Sequence, residues 1–434
     1  MDQYTAPKRI LANPCVRGLC LSQFTALVGT FALYFASMAL VEEITHSSTQ
    51  VGLMIFSSTL PGFIFGLIAG PYVDRHDRIS VIKWGCILRV PIGIGFALAM
   101  HYAPHTSSLL WVIYICNFLL SALAQFISAA EASAIPRFVT SEQLMGANSL
   151  FNLSSVVSQG TGAILVAPAL LKLSGPGLVG VAGTVLFFLA WWTVSRLPHG
   201  DYSADPTRPN VKNGLASAFI ELKQGWAFIA RDPFVLLAVL QMVLASTATL
   251  AATTLAPGFA NRILGKQASD IAYAALPVGV GFVAGLWFIS SSHGRRMSRQ
   301  AWSALGLCLF GVGLVATSLW TLLNRFSLIG LAISVAVAGF GFALTIIPAR
   351  TILQERPAPS MRGRVISTQM VLANAASTLP MPLAGGLADL WGIEQVLLVI
   401  GGIVLLTAAV SVYLVRKAWR QAKSAPLPRA EEVP

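Results

Sequence analysis

Charge is scarce in this sequence. Of its 434 residues, 11% are Asp, Glu, Lys or Arg, whereas 55% are hydrophobic. Because an ordinary globular domain carries about a quarter charged residues, this chain has too little polar surface to cover a water-soluble protein of its length. The composition excludes a disordered chain and most soluble enzymes, and it indicates a protein that crosses a membrane several times.

The sequence also lacks the residue patterns of disulfide, metal and nucleotide chemistry. Its five cysteines form no C-x-x-C pair, and its six histidines show no metal-ligand spacing. It contains neither a G-x-x-x-x-G-K-[ST] loop for ATP nor a His, Asp and Ser constellation for catalysis. We therefore predict no enzyme activity and no cofactor. The net charge of +12 is carried on segments between apolar runs, which indicates membrane lipid rather than nucleic acid as the partner.

Long unbroken apolar runs are what the sequence does contain. Only helical bundles and closed barrels can span a bilayer, because lipid cannot satisfy backbone polar groups. Barrel strands alternate polar and apolar residues, which these runs do not, so an all-α membrane protein is predicted. Runs of about 20 residues suffice to span, and twelve occur: 18–41, 50–73, 79–101, 107–131, 146–171, 176–196, 233–256, 270–292, 300–323, 326–349, 364–388 and 393–416.

The basic residues predict the orientation of these spans. With both termini in the cytoplasm, the inward segments hold 24 of the 29 Lys and Arg residues and the outward segments hold 4. Basic residues accumulate on the cytoplasmic side of membrane proteins, so the alternation supports both the twelve spans and cytoplasmic termini.

The longest polar segment lies in the middle of the chain. It ends in an apolar stripe with helical spacing, which predicts an amphipathic helix at the cytoplasmic membrane surface. The stripe consists of Leu215, Phe219, Leu222, Trp226 and Ile229. The predicted organisation is a six-helix half at 1–197, a linker at 198–231, a second six-helix half at 232–417 and a basic tail at 418–434. Two such halves are typical of transporters with a substrate site between them.

A glycine stripe joins spans two and three and ends in charged residues. Gly62, Gly66 and Gly70 recur every four residues, which lets a neighbouring helix approach closely. Asp74, Arg75 and Arg78 follow at the predicted inner end, where a carboxylate can pair with arginines or a helix N-terminus. We interpret Gly66, Gly70, Asp74, Arg75 and Arg78 as a conformational latch; the alternative is an ordinary polar turn.

This Asp-Arg-x-x-Arg segment resembles the loop signature of the major facilitator superfamily. Three further segments resemble its branch of bacterial enterobactin exporters and macrolide efflux proteins. They are the loop and helix start at 134–150, the central helix at 221–229 and the Gln-Glu-Arg to Arg-Gly-Arg-Val loop at 354–365. The resemblance covers nearly the whole chain.

The resemblance implies twelve helices in two pseudo-symmetric halves, working by alternating access as a monomer in a bacterial inner membrane. It also implies efflux or antiport of a small-molecule substrate. In the second half, the counterpart of the Asp-Arg loop has positive charge but no carboxylate. The candidate residues of the second-half loops are Arg295, Arg296, Arg356, Arg362 and Arg364.

No carboxylate lies in the middle of a predicted span. The candidates for energy coupling are therefore two other charged residues in the spans. Glu131 lies near the inner end of span four, where it is either a proton carrier or a solvated helix end facing Arg137. Arg89 is the one charge deep in a span, about 15 Å along the helix axis. It is either a contact for an anionic substrate or coupling group, or a hydrogen-bond hub within the first half.

Uncharged amides and aromatics in the spans are candidates for the substrate cavity. We expect spans one, four, seven and ten to line it, although each residue could equally hold two helices together. As a set, these side chains fit an amphipathic substrate better than a phosphate, which would need a basic cluster. The candidates are Gln23, Tyr34, Asn117, Gln125, Gln241, Gln369 and Asn374.

The sequence therefore predicts a secondary transporter that exports amphipathic small molecules of the drug or siderophore class. It leaves open whether transport is coupled to protons, coupled to another cation, or uncoupled. Two alternatives remain open. The first is an importer or lysophospholipid flippase of the same fold, and the second is a non-transporting membrane receptor.

Overall fold

The structure is a computed structural model. It describes residues 11–102, 107–140, 143–197, 211–265, 271–291, 297–323, 328–378 and 380–424. Every regular element in these ranges is helical, as predicted from the apolar runs. The α-helices are α1 Pro14–Thr45, α2 Ser48–Val73, α3 Arg78–Tyr102, α4 Ser107–Phe138, α5 Leu144–Gly160, α6 Ala167–Ser174, α7 Pro176–Ser195, α8 Val211–Arg231, α9 Pro233–Gly258, α10 Ile271–Ser290, α11 Arg299–Leu322, α12 Leu328–Glu355, α13 Pro359–Thr378, α14 Met381–Trp391 and α15 Ile393–Ser424.

The helices reproduce the predicted spans. Within the described ranges, ten helices are long and apolar enough to cross a membrane, and Leu276–Ser290 is a shorter apolar helix. The predicted span at 364–388 is divided between α13 and α14. The fold class is that of a twelve-helix membrane protein, and the prediction from the apolar runs is confirmed.

Local signals in the sequence set the helix ends. The side chain of Asn13 accepts a hydrogen bond from the backbone N–H of Cys15 at 2.9 Å, which caps α1. Gly175 separates α6 from α7 with a φ of 78°, a left-handed value that favours glycine. The short division between the fifth and sixth spans is therefore a real break in the chain direction.

Two spans contain π-helical turns, in which the backbone hydrogen bonds reach one residue further than in an α-helix. The first, Thr161–Val166, joins α5 to α6, and the second, Phe259–Ile263, follows α9. The second turn carries Arg262, which is important for the site described below.

The chain forms two compact units. The first contains a core cluster that includes Leu19, Ile82 and Ala130, and the second contains one that includes Ile229 and Ile352. The first unit comprises Met1–Glu221, Leu250–Ala275 and Asn374–Ile393. The second comprises Leu222–Thr249, Leu276–Ala373 and Glu394–Pro434.

The predicted amphipathic helix of the linker is α8. In its second half Gly225 and Ile229 are buried, whereas Trp226 is exposed. The hydroxyl of Thr368 on α13 donates a hydrogen bond to the carbonyl of Leu222 at 3.3 Å. A Cβ atom at Gly225 would overlap Thr368, so glycine is required where α8 lies against α13.

Candidate functional site

The first unit contains a polar cavity of about 230 Å³. None of the described residues that line it carries a formal charge, and most of them offer a hydroxyl or an amide. Helices α2, α4, α9 and α13 contribute, so spans four and seven line it as predicted, whereas spans two and eleven replace spans one and ten. The lining residues are Ser58, Thr59, Gly62, Ser121, Gln125, Leu250, Asn374, Ser377 and Thr378.

Two of the predicted cavity residues line this cavity, and a third lies near its wall. Gln125 and Asn374 line the cavity. Tyr34 on α1 lies near Ser58 of the wall but is not itself one of the lining residues. Gln125 also lies beside the glycines of α2, since a Cβ atom at Gly62 would be 3.5 Å from its amide nitrogen. The wall therefore combines hydrogen-bond donors and acceptors with the open backbone surface of a glycine.

The other amides hold helices together or are buried elsewhere. The Nδ2 of Asn117 donates a hydrogen bond to the hydroxyl of Ser37 at 2.9 Å, which joins α4 to α1. The hydroxyl of Ser303 donates to Oε1 of Gln241 at 2.6 Å, which joins α11 to α9. Gln369 is buried on α13. For Asn117 and Gln241 the geometry favours the helix-packing interpretation.

The two candidate coupling residues lie near each other. Arg89 is 2% exposed and Glu131 is 6% exposed, and each acts electrostatically on the other. The amide nitrogen of Gln23 donates to Oε2 of Glu131 at 3.5 Å. The ring of Phe187 lies 5.9 Å from the guanidinium carbon of Arg89. Because Glu131 is buried, the interpretation of a solvated helix end is wrong.

The predicted latch segment surrounds the turn between α2 and α3. Asp74 is the C-terminal cap residue of α2, and Arg75 beside it is exposed. Arg78 is buried and lies with Phe138 at the end of α4. The Cβ position of Gly66 is 4.0 Å from Gln125. At Gly70, no heavy atom of the described residues lies within 4 Å of that position.

Carboxylates from elsewhere pair with the loops of the second half. Arg356 lies 3.1 Å from an oxygen of Asp232, and its guanidinium stacks on Phe234 at 4.2 Å. Arg299 forms an ion pair with Glu355. The sequence does not indicate either pair, because the partners lie far apart along the chain; Asp232 and Arg356 are separated by 124 residues.

The remaining basic candidates of these loops are less constrained or fall outside the structure. Arg362 donates to the carbonyl of Pro357 at 3.3 Å. Arg364 is partly buried on α13. Arg295 and Arg296 lie outside the described residues.

A second charged cluster lies where α1 and α2 meet, and the sequence reasoning missed it. Arg262 contacts Glu42 and Asp389, each at 3.0 Å. Asp389 in turn accepts hydrogen bonds from Ser47 and Thr49. The available signal was that Arg262 is one of only four basic residues in predicted outward segments, and that both acids lie at the ends of apolar runs.

The described chain offers no metal site. Among the described residues, no group of three or more His, Cys, Asp or Glu side chains is placed to hold an ion. The described groups that line the cavity are mostly hydroxyls and amides, which can bind a small molecule reversibly by hydrogen bonds.

Comparison with known proteins places this geometry in context. The sequence profile of the Major Facilitator Superfamily matches residues 19–379. The chain is similar to an enterobactin exporter of Salmonella typhi, with 26% identity over 382 residues and 86% of each chain covered. It is also similar to an enterobactin exporter of Escherichia coli O81, with 27% identity over 383 residues, covering 86% of this chain and 85% of that one.

Solved structures share the fold. A bacterial homologue of the human lysosomal transporter Spinster, in an inward-facing and occupied conformation, aligns with a TM-score of 0.70 at 14% identity. That alignment covers 98% of this chain and 100% of the other. The same homologue in its unoccupied conformation aligns with a TM-score of 0.67 at 15% identity and the same coverage.

The apolar helices and the family match define a multi-pass membrane transporter of small molecules rather than an enzyme. The profile match extends over most of the chain, and each of the two relatives aligns with 86% of it. The chain belongs to the Major Facilitator Superfamily, and the resemblance to the enterobactin-exporter branch is confirmed.

Proposed function

We propose that this transporter exports amphipathic, hydrogen-bonding small molecules of the drug or siderophore class by alternating access. The direction of transport is inferred from the relatives, which are named as enterobactin exporters. The class of substrate is inferred from the cavity. We further propose that the protein acts as a monomer in a bacterial inner membrane, with both termini in the cytoplasm. The bacterial relatives support this membrane, and the distribution of basic residues supports the orientation of the termini.

The uncharged wall of the cavity is the observation that carries this proposal. Its hydroxyl and amide groups bind substrate hydroxyls and carbonyls without a formal charge. The helices that line it come from both predicted six-helix halves, 1–197 and 232–417, which the linker at 198–231 joins. In transporters built from two repeated halves, the substrate site lies between the halves and is exposed alternately to the two sides of the membrane.

Energy coupling is assigned to Glu131 within this proposal. A buried carboxylate that a neighbouring cation only partly compensates can bind and release a proton when its surroundings change. Glu131 has Arg89 as its cationic neighbour and Gln23 as its hydrogen-bond donor. Movement of α1 relative to α4 would remove the hydrogen bond from Gln23 and thereby change the proton affinity of Glu131. The expected mechanism is proton antiport.

The latch formed by Gly66, Gly70, Asp74, Arg75 and Arg78 is assigned to the cytoplasmic side in this proposal. Its role is to hold the neighbouring helices together while the substrate leaves on the other side. The glycines permit a close approach of helices, and Asp74 supplies the charge at their end.

Efflux from energised cells tests the proposed function. The substrates are a panel of dyes, macrolides and catecholate siderophores, each measured with and without a protonophore. We expect at least one compound to leave faster from cells that contain the protein, in a protonophore-sensitive manner. Gln125→Ala removes an amide from the cavity wall and should slow this efflux. Gln224→Ala, at an exposed position on α8, is the matched control and should not.

Two results would contradict the proposal. Efflux unaffected by Gln125→Ala would mean that substrates do not use this cavity. If no compound on the panel is extruded, an importer or a lysophospholipid flippase is favoured instead. A non-transporting receptor would bind a ligand without moving it across the membrane.

A further inference from the structure

Arg262 is shared between two carboxylates. Its Nε lies 3.0 Å from Oε1 of Glu42, and its Nη1 lies 3.0 Å from Oδ1 of Asp389. Its remaining nitrogen is hydrogen bonded to the hydroxyl of Ser48. One guanidinium therefore contacts α1, α2 and α14 at the same time. We call Glu42, Arg262 and Asp389 the three-residue clamp.

The two carboxylates have unequal support without Arg262. Asp389 accepts hydrogen bonds from the Ser47 hydroxyl at 2.7 Å, from the backbone N–H groups of Ser48 and Thr49 at 2.8 and 2.9 Å, and from the Thr49 hydroxyl at 2.6 Å. These four hydrogen bonds stabilise the negative charge of Asp389 without help from Arg262.

Glu42 lacks this support. Its side chain is 0% exposed, and Arg262 is the cation in contact with it. Two other charged groups act on it from nearby, namely Asp389, which repels its charge, and His46, which attracts it when protonated. A buried carboxylate that loses its cation is better stabilised by a bound proton than by remaining charged. The charge of Glu42 therefore depends on the position of Arg262.

The three-residue clamp joins spans that lie far apart in the sequence, so the charge of Glu42 can respond to their separation. Glu42 and the residues that cap α2 belong to the first two spans, whereas Arg262 and Asp389 belong to the seventh and eleventh. Separation of these spans would let Arg262 stay with Asp389 and would leave Glu42 without a cation. Separation of the spans then strengthens proton binding by Glu42. By thermodynamic linkage, a proton bound to Glu42 must favour separation of the spans to the same extent.

We infer that Glu42 is a proton-binding residue and that its protonation opens this end of the transport path. The inference rests on the proposed function only in taking the cavity as part of that path. The predicted orientation places the clamp at the outer face of the membrane, so the proton is taken from outside. Acid outside the cell should therefore open the cavity toward that side.

Thiol accessibility in spheroplasts tests this inference without measuring transport. A cysteine replaces Ser121 in the cavity wall, in a protein whose five native cysteines are substituted and which still inserts into the membrane. A membrane-impermeant maleimide is added from outside. Glu42→Gln imitates protonation of Glu42, and Glu43→Gln is the matched control because Glu43 is exposed. Since the labelled thiol is the same in both variants, its own titration cancels from the ratio of rates.

We expect Glu42→Gln to label roughly tenfold faster than Glu43→Gln at about pH 8, a factor that corresponds to about 1.4 kcal/mol. The two rates should converge in acid, where Glu42 is protonated in the control as well. Adding Arg262→Gln should abolish the difference, since Glu42 then has no cation to release. His46→Gln should retain the pH dependence, which excludes titration of His46 as its cause.

Three results would overturn the inference. They are equal labelling of the Glu42→Gln and Glu43→Gln variants at about pH 8, an undiminished Glu42→Gln effect in the Arg262→Gln background, and loss of the pH dependence in His46→Gln. None of these measurements requires a transported compound. Failure of the efflux panel therefore contradicts the proposed function alone, and failure of the labelling test contradicts the clamp alone.

Discussion

Replacement of Gly385 by alanine should separate α14 from α2. The ideal Cβ position at Gly385 lies closer than 3.0 Å to the carbonyl oxygen of Ser48 and to the Cα of Thr49. A methyl group cannot occupy that space unless one helix moves. The same movement would weaken the hydrogen bonds from Ser48 and Thr49 to Asp389, so the substitution acts on the clamp through packing rather than charge.

The adjacent glycine supplies the control. At Gly386 the nearest atom to the Cβ position is the hydroxyl oxygen of Thr49 at 3.8 Å, an ordinary contact. Both substitutions gain about 1 kcal/mol of helix propensity, which cancels when the two variants are compared. Overpacking a well-packed contact costs about 1–3 kcal/mol. We therefore expect Gly385→Ala to be about 1–3 kcal/mol less stable than Gly386→Ala.

Two assays check this prediction. Chemical unfolding in detergent compares the free energies of unfolding, and labelling of the cavity cysteine from outside compares the separation of α2 and α14. We expect Gly385→Ala to unfold at lower denaturant concentration, to label faster, or both, because separation of the helices relieves the overlap. Equal unfolding and equal labelling of the two alanine variants would refute the close approach of these helices.

Other substitutions probe the remaining sites. Asp74→Asn should leave the protein inserted but slow efflux, and wild-type turnover would contradict the latch. Arg89→Met should destabilise the protein, because it removes the cation that lies near the buried Glu131. Adding Glu131→Gln should recover about 1–3 kcal/mol of that loss. Strictly additive changes in the free energy of unfolding would contradict an interaction between Arg89 and Glu131. Arg356→Gln should change the free energy of unfolding by at most about 1 kcal/mol, because its pair with Asp232 is partly exposed, and a larger loss would show that the pair is structurally essential.

The sequence predicts the fold well, because a bilayer imposes a simple length rule on apolar runs. The division at Gly175 follows from the same rule, since only a few residues separate two runs there. Gln125 and Asn374 could be assigned to the cavity because a neutral polar side chain in a span has few other roles. The same criterion also selected Asn117 and Gln241, which join helices instead.

The charged clusters could not be predicted, because they depend on how the helices pack. Arg262 and Asp389 are 127 residues apart in sequence, and no periodicity relates them. Arg89 and Glu131 lie on separate helices, and their proximity depends on the relative rotation of α3 and α4. A hydropathy pattern defines which residues form a helix but not which residues face each other across two helices.

Accumulation of substrate in inverted membrane vesicles measures the direction of transport and its coupling to protons together. The vesicles contain either the wild-type protein or Gln125→Ala, and an imposed proton gradient is present or absent. We expect a neutral, hydrogen-bonding compound of the panel to accumulate only when the gradient is present, and to accumulate less with Gln125→Ala. Accumulation that is indifferent to both, or movement in the opposite direction, would contradict an exporter that binds its substrate in this cavity.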